Sequence, residues 1–448
     1  MTPAPTGAER EEAGASARSV ALAAVLLCLE GAYLSRAISQ AVDSAGLEGH
    51  DRSLAADLAY GTVRRLLAID ARLSPMLAEP DKLPAAVRAA LRIGAYELLW
   101  RGTPAYAAVS AWVDEVKAVS RRHAGVANAV LRRLAREAPA AEPDGDPDPE
   151  RDLSLPAWLF DRFQAALGRD AAVAAARGML EPEPLWLTAF DERAERALRE
   201  QACEVRPGPE LGLAEGAGEW PRSLSVRCPQ PLAALRAFQE GLVQPQNPSS
   251  LHVARSLEAR PGDLVYDLAA GQGIKTATLA ASGARVVAVE LSEKRSKAAR
   301  RNLARLGLEV EHVVADLTQG WPPDGAEPGD KVILDAPCSG TGTLRGHPEI
   351  KLRLRSEDLE RLAHTQAAML RAAARVVKPG GVLLYAVCSL TPEEGVEQVE
   401  ALLRSEPAFE PLPVMGLAEA LVPARVGAYL LPVGGLDGFY LARLARAG

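Results

Sequence analysis

From Leu251 onward, short β-branched runs alternate with amphipathic helical stretches: LVYDLAA, ARVVAVELS, VEHVVADL, KVILDAP and GGVLLYAVCSL, with helical periodicity between them. Such alternation is the pattern of a doubly wound, Rossmann-like α/β sheet, whose ligands meet the carboxyl ends of the strands. Residues 18–137 read differently. Apolar residues recur at three- and four-residue spacing in Val20 to Ile38, Leu54 to Leu67, Val87 to Trp100, Val109 to Val119 and Val126 to Leu134, so residues 1–137 are expected to form an all-helical domain. Residues 138–152, rich in Pro and Asp with almost nothing apolar to bury, read as a flexible linker. Residues 153–244 read as a small α+β region, with a helix near Ala157 to Leu180 and a strand Leu185 to Phe190; residues 245–448 are the α/β domain.

At 448 residues and 48% hydrophobic, the chain is long enough for about three cored domains. Its five cysteines, Cys28, Cys203, Cys228, Cys338 and Cys388, are scattered, with no CxxC pair to close a zinc site or redox loop. The expectation is single thiols in a reducing cytoplasm. The N-terminal MTPAPTGAEREEAG is polar, and the best apolar run, Val20 to Leu29, is about half of what a bilayer needs, so neither a signal peptide nor a membrane span is expected. The net charge of −7 hides an uneven distribution: residues 1–137 carry net +2, Ala138 to Asp152 net −5, and Arg345 to Lys378 net +4. Nucleic acid therefore stays open as a partner.

LVYDLAAGQGIKT runs strand, glycine-containing turn, helix, which lets backbone N–H groups approach a ligand closely. A phosphate-binding Walker loop wants Gly before its Lys, where Ile274 stands, and the dinucleotide fingerprint wants Gly where Thr276 stands. Asp267 at the strand end suits a cationic ligand such as the α-amino group of S-adenosylmethionine. Glu290 ends the next strand, where an acid accepts from ribose hydroxyls, and Asp316 ends a third. Ala269, Ala270, Gly271 and Gly273 form the turn and complete the candidate cofactor-binding set. Each acid taken singly also fits a solvated strand-end carboxylate or helix cap; three on consecutive strand ends weigh against that.

KVILDAPCSGTGTLRGHPEIK places Asp335, Pro337 and Cys338 at one strand end, and GGVLLYAVCSL places Cys388 at another. A lone strand cysteine is usually a small buried hydrophobe; two at two strand ends suggest chemistry. Methylating carbon five of cytosine needs a nucleophile at carbon six, for which thiolate is apt, a proton donor at ring nitrogen three, and a base for the carbon-five proton.

DAPCSGTGTLR together with YAVCSL closely resembles the RNA cytosine-5 methyltransferases, and the whole chain resembles their bacterial Sun/Fmu (RsmB) branch, which acts on small-subunit (16S) ribosomal RNA. The resemblance implies a class I methyltransferase fold and S-adenosylmethionine as cofactor. It makes Cys388 the nucleophile and Cys338 the residue that assists breakdown of the covalent adduct, with Asp335 on the base edge. It places Asp267, Lys275, Glu290, Arg295 and Asp316 at the cofactor site or supporting it, and Asp335 counts among the expected cofactor-binding residues as well. Lys275 is expected to lower a thiol pKa or orient Asp335. DNA enzymes attack from the Pro-Cys cysteine, so the second cysteine favours RNA. DRSLAADLAYGTVRR, LPAAVRAALRIGAYELL and GVANAVLRRL, with Asn128 and Arg132, resemble a NusB-type RNA-binding domain, and LPVGGLDGFYLARL, with Asp437, Gly438 and Phe439, resembles the family's closing strand.

Departures from the family pattern are Gln272 and Ile274 in the cofactor loop, Asn247 after Gln246, Val387 before the nucleophile, Gly395 after the Glu pair, and Thr188, Ala189 and Phe190 after Leu187. RNA contact is expected from Arg121, Arg122, Arg132, Arg133 and Arg136 in the helical domain and from Arg345, Lys351, Arg353 and Arg355 after the first cysteine; solvated helix faces are the competing role. His347 and His364 are too isolated to be metal ligands, so no metal is expected, and the chain is expected to act as a monomer. Two alternatives stay open: the same chemistry on transfer RNA or 23S ribosomal RNA, and a non-catalytic RNA-binding assembly factor, which Ile274 and Asn247 motivate.

Overall fold

The structure, a computed structural model, describes residues 15–136, 146–182, 184–212 and 221–448; the polar N-terminal segment and residues 137–145 of the acidic stretch lie outside them. The chain divides into two compact units, the first reaching to Leu159 and including Gly346–Leu352, the second comprising the rest.

In the first unit the helices are α1 (Ala17–Leu29), α2 (Leu34–Ala45), α3 (Gly49–Arg64), α4 (Leu66–Leu73), α5 (Ala85–Leu99), α6 (Ala105–Val119) and α7 (Ala124–Leu134). The periodic run Val20 to Ile38 becomes two helices because the chain turns at Gly31, whose φ of 117° suits glycine alone. Likewise Leu54 to Leu67 crosses the joint at Arg65 between α3 and α4. Ser16 caps α1 by accepting from the Ser19 N–H, and α1 buries Val20, Ala21, Ala24, Val25 and Cys28 against its neighbours. In the middle of this core sits a charge. Glu97 is fully buried, accepting from the Arg18 guanidinium at 2.5 and 3.1 Å and from the Trp112 indole at 2.7 Å. Burial pushes its carboxyl up, but the bonds from Arg18 and Trp112 outweigh this and hold it below the usual carboxylate range.

Residues Asp146–Leu155 are turns with fixed bonds. Asp148 accepts from the Glu150 and Arg151 N–H groups, Ser154 Oγ accepts from Leu67 N–H at 3.2 Å, and Leu153 and Leu155 are buried. The short segment Gly346–Leu352 also belongs to this unit: Glu349 accepts from Leu34 N–H, Leu352 packs on the helical core, and Lys351 donates to the Arg64 carbonyl. Burial, with Arg65 and Arg64 nearby, brings the Lys351 pKa down to about 7. Lys351 is 6% exposed and Arg345, which donates to the Pro432 carbonyl within the second unit, 1%. Neither side chain reaches a phosphate, so both are withdrawn from the expected RNA contacts. Arg121, Arg122, Arg132, Arg133, Arg136 and Arg355 are exposed and Arg353 is half-buried.

The second unit begins at Phe160, within α8 (Ala157–Leu167), and continues with α9 (Arg169–Gly178); Gly168, at φ 80°, interrupts the single helix expected over Ala157 to Leu180. Next come β1 (Leu185–Ala189), α10 (Arg193–Glu200), β2 (Glu204–Pro207), β3 (Arg222–Arg227), α11 (Arg236–Gln239) and β4 (Val243–Pro245), whose strands form an antiparallel sheet in the order β2-β3-β1-β4. Cys203 and Cys228 form a disulfide, which corrects the expectation of single thiols. The register explains it: Glu204 pairs with Arg227, so the residues flanking that pair are brought opposite one another.

The remaining elements are α12 (Pro248–Arg255), β5 (Leu264–Leu268), α13 (Ile274–Ala280), β6 (Arg285–Glu290), α14 (Glu293–Arg305), β7 (Glu311–Val314), β8 (Gly329–Asp335), α15 (Ile350–Arg353), α16 (Ser356–Val376), β9 (Val377–Val387), α17 (Val396–Ser405), β10 (Phe409–Leu412), β11 (Leu421–Pro423), β12 (Ala428–Leu430) and β13 (Phe439–Arg446). They build a Rossmann-like mixed sheet ordered β11-β12-β13-β9-β8-β5-β6-β7, with β10 on β13. Strands β5 to β9 are parallel and the others antiparallel. After β7 the chain returns to the other side of β5, so the switch point lies between β5 and β8, where a ligand crevice is expected. No helix among the described residues is long and apolar enough to cross a membrane.

Arg18→Ala leaves Glu97 buried without its cation, which should destabilise the helical unit by about 3 kcal/mol. Because the Glu97 carboxyl is held low, its contribution is present at neutral pH and lost as pH falls through that lowered value. Thermal melts of wild type and variant should therefore converge in acid; an unchanged melting temperature at pH 7 would contradict the assignment.

Candidate active site

Asp267, Glu290 and Asp335 sit at the carboxyl ends of β5, β6 and β8, and Cys388 directly follows β9. The turn after β5 uses left-handed backbone at Ala269 (φ 62°), Gly271 (φ 59°) and Gly273 (φ 77°). A side chain at Gly273 would press on Ala299, whereas the space over Gly271 is open. Close approach thus depends on Gly271 and Gly273. Ile274 is already the first residue of α13, and its carbonyl accepts from the Gln244 side chain at 3.0 Å.

Asp267 is 1% exposed; one oxygen accepts from the Thr276 hydroxyl at 2.5 Å and the other, Oδ1, has no partner. Burial pushes its pKa up to about 7. A buried, unsatisfied acceptor beside an open glycine turn fits an ammonium-bearing ligand such as S-adenosylmethionine. Glu290 accepts from the Gly271 and Ser292 N–H groups, each at 2.9 Å, so it shapes the turn as well as facing it; Arg295 lies 3.9 Å away. Asp316 accepts from the Thr318 N–H and hydroxyl, which hold its carboxyl below the usual range. Leu291, the residue after Glu290, is 65% exposed.

Lys275, on α13, donates to Asp335 at 2.6 Å and lies over the Phe439 ring at 5.2 Å. Burial works against its charge, but Asp335, with Cys388 and Asp267 nearby, more than compensates and holds its pKa above the ordinary value. On the neighbouring strand end the Cys338 and Cys388 sulfurs are 3.2 Å apart. The Cys388 contact and burial, followed by the charge of Glu394, push the Cys338 thiol well up. The loops carrying the cysteines are bonded to each other and to the closing strand: Gly342 donates to the Cys388 carbonyl, and Gly438 donates to the Gly342 carbonyl. Gly342 must be glycine, because a Cβ there would fall 2.0 Å from the Gly438 carbonyl oxygen.

The expected residues Lys275, Asp335, Cys338 and Cys388 are brought together, with Asp267 on the same face. Four participants were not singled out from sequence: Glu394, Gln366, Ser339 and Ser389, which form a buried polar network behind the cysteines. Two of the departures find structural roles. Asn247 caps α12 by accepting from Ser249 N–H, accepts from Asp437 N–H, and donates to the Gly435 carbonyl, a bond that Asp in its place would lack. A Cβ at Gly395 would lie 2.9 Å from both Tyr429 and Tyr440, which fill the space a larger residue would take. Among the described residues no group of His, Cys, Asp and Glu is arranged to hold a metal ion.

A model of the 16S rRNA methyltransferase RsmB/F family matches residues 254–445, and a model of the NusB family matches residues 15–136. Ribosomal RNA small subunit methyltransferase B of Thermus thermophilus is 43% identical over 432 residues, covering 96% of this chain and 97% of that protein. The Pseudomonas syringae pv. tomato protein of the same description is 34% identical over 447 residues, 96% of each chain. Among solved structures, the crystal structure of PH0851 matches with a TM-score of 0.74 at 24% identity over 96% of this chain and 98% of its own. NSun6 from Pyrococcus horikoshii with SFG gives 0.53 at 20% identity over 65% and 98%. These two likenesses speak to the fold.

The orphaned Asp267 oxygen predicts a titration: S-adenosylmethionine should bind more tightly as pH rises from about 6 to 8 and Asp267 ionises. Asp267→Asn should lose about tenfold in affinity and flatten that dependence. Calorimetric titration across this range checks it; an equally steep profile in the variant would contradict the role.

Proposed function

Because this chain belongs to the 16S rRNA methyltransferase RsmB/F family, with a NusB-family region at its N-terminal side, we propose that it methylates carbon five of a cytosine in 16S ribosomal RNA through a covalent adduct with Cys388. The methyl donor is S-adenosylmethionine, which when bound supplies an electrophilic methyl group; Asp267, the Gly271–Gly273 backbone, Glu290 and Asp316 hold it. The observation that carries the cytosine assignment is the thiol pair, two sulfurs 3.2 Å apart delivered from two adjacent strand ends beside a Lys–Asp pair.

The residues then divide the work. A cytosine flipped out of its stack meets the strand ends. Cys388 Sγ bonds to carbon six as thiolate, and the electron pair of the 5,6 double bond moves toward carbon five. Asp335, paired with Lys275 across their 2.6 Å contact, meets ring nitrogen three, and the proton that this nitrogen takes up as carbon six is attacked passes from Lys275 through Asp335. Once carbon five is methylated, Cys338, directly or through water, helps take its proton; the double bond re-forms and the carbon–sulfur bond breaks, returning the pair to Cys388 and the ring-nitrogen proton to the Lys275–Asp335 pair. The scheme calls on no metal, and a single chain holds all of its groups. RNA is held by the exposed Arg121, Arg122, Arg132, Arg133 and Arg136, with Arg353 and Arg355 contributing, in the cytoplasm where ribosomal RNA is made.

The two cysteines should fail in opposite ways. With S-adenosylmethionine and 16S rRNA lacking its methylations, Cys388→Ala should give neither methyl transfer nor adduct. Cys338→Ala should accumulate a protein–RNA species that survives a denaturing gel. Turnover retained in Cys388→Ala would refute the assignment.

A further inference from the structure

The ammonium of Lys275 is nearly enclosed, its side chain 10% exposed, yet among the described residues a single oxygen accepts from it, that of Asp335 at 2.6 Å. An ammonium carries three N–H donors on a flexible four-carbon stem, and one hydrogen bond lets it turn about that bond. What meets the charge on a further side is a ring face: Nζ stands over Phe439, 5.2 Å from the ring centroid. A cation within about 6 Å of a centroid is drawn to the negative face of the ring, and the attraction grows where water is excluded. Phe439 is 3% exposed, so its ring is no platform for an incoming base.

The fold holds that ring in place. Phe439 opens β13, where it pairs with Leu430 of β12, and the next residue, Tyr440, pairs with Val387, so Phe439 stands level with Cys388 at the end of β9. Just before it, Gly438 N–H donates to the Gly342 carbonyl at 2.8 Å and Asp437 N–H to Asn247 Oδ1 at 3.1 Å. The closing strand is thereby tied to the Cys338 loop on one side and to the start of α12 on the other, and it presents the ring to Lys275 at a fixed position.

The chemistry of this partner matters as much as its place. A second carboxylate would also have answered the charge, but it would have given the ammonium another hydrogen-bond direction and another group to which its proton could pass. A ring face attracts the cation and takes no proton. We propose that Phe439 is a positioning residue whose ring face pins the Lys275 ammonium against Asp335, so that the proton given to the base has one route, from Lys275 Nζ to the Asp335 carboxylate and from there to ring nitrogen three. The same attraction draws the proton back when the ring nitrogen releases it, because the face favours the ammonium over the neutral amine. This inference rests on the reading that the Lys275–Asp335 pair serves ring nitrogen three.

Fluorination of the ring tests it, since each fluorine drains charge from the face while the ring keeps its shape and stays apolar. With 4-fluoro-, 3,5-difluoro- and 3,4,5-trifluorophenylalanine placed at position 439 of the full-length protein, turnover in methyl transfer to 16S rRNA should fall with every added fluorine, about tenfold over the series, with the KM for S-adenosylmethionine unchanged. Phe439→Leu should fall at least as far; if that variant does not fold, the fluorinated series decides alone. Turnover independent of the number of fluorines would overturn the proposal and leave Phe439 a packing residue. A second readout needs neither RNA nor methyl donor. The chain has eight lysines, and with carbon-13 at their ε positions the Lys275 signal is the one lost in Lys275→Arg. The ring current should displace its ε protons upfield of their position in the urea-unfolded chain; an undisplaced signal would contradict the contact. Absence of cytosine methylation with the upfield signal intact would count against the reaction and not against the grip of the ring.

Discussion

The parallel pairing of β8 with β9 is the constraint on which the site depends. Asp335 lies opposite Ala386 in that ladder, and the chain leaves both strands at the same end of the sheet. Two loops that begin side by side can hold Cys338 and Cys388 in contact without long side chains reaching across a cleft. Further bonds keep them there: Gly342 N–H to the Cys388 carbonyl, Leu390 N–H to the Thr341 hydroxyl, and Gly438 N–H to the Gly342 carbonyl. Because the switch point falls between β8 and β5, the same sheet edge also brings Asp267 and the glycine turn up against Asp335, with Lys275 bridging the two regions. Cofactor side and base side are thus joined by one ion pair.

The α/β part of the chain was legible because period and punctuation agreed: strands β5 and β6 fall inside the β-branched runs that announced them, β8 and β9 begin just upstream of theirs, and the acids and cysteines fall at their ends. Helix boundaries were less so. Val20 to Ile38 kept its apolar spacing across a turn at Gly31, since spacing reports a buried face and the same face continues on the next helix. Charge counting failed where it assumed exposure. Arg345 and Lys351 added to a basic segment in the sequence, yet one is folded under the Pro432 carbonyl and the other under the end of α3. The disulfide was hidden for a different reason, because its register belongs to β2 and β3, in the Gly- and Pro-rich stretch where no alternation could be read. Glu394 was silent since nothing in a Glu pair after a polar loop says that one member pairs with Arg162 and the other turns into the core.

The two buried carboxylates that matter most are handled in opposite ways. Glu97 is balanced by a guanidinium, and its pKa falls; Asp267 has one hydroxyl partner and an orphaned oxygen, and its pKa rises. The first pattern is that of a group whose partners the fold provides in full, and the second that of a group waiting for one. Reading burial together with satisfaction distinguishes the structural charge from the functional one where sequence position does not.

The central claim is that the thiol pair serves carbon five of cytosine. It is tested most directly by incubating the full-length protein with radiolabelled S-adenosylmethionine and 16S ribosomal RNA lacking its native methylations, digesting the RNA to nucleosides and identifying the one that carries the label. The account predicts label in 5-methylcytidine alone. Label in a ribose-methylated nucleoside, in a cytidine methylated on its exocyclic nitrogen, or in a purine would contradict it.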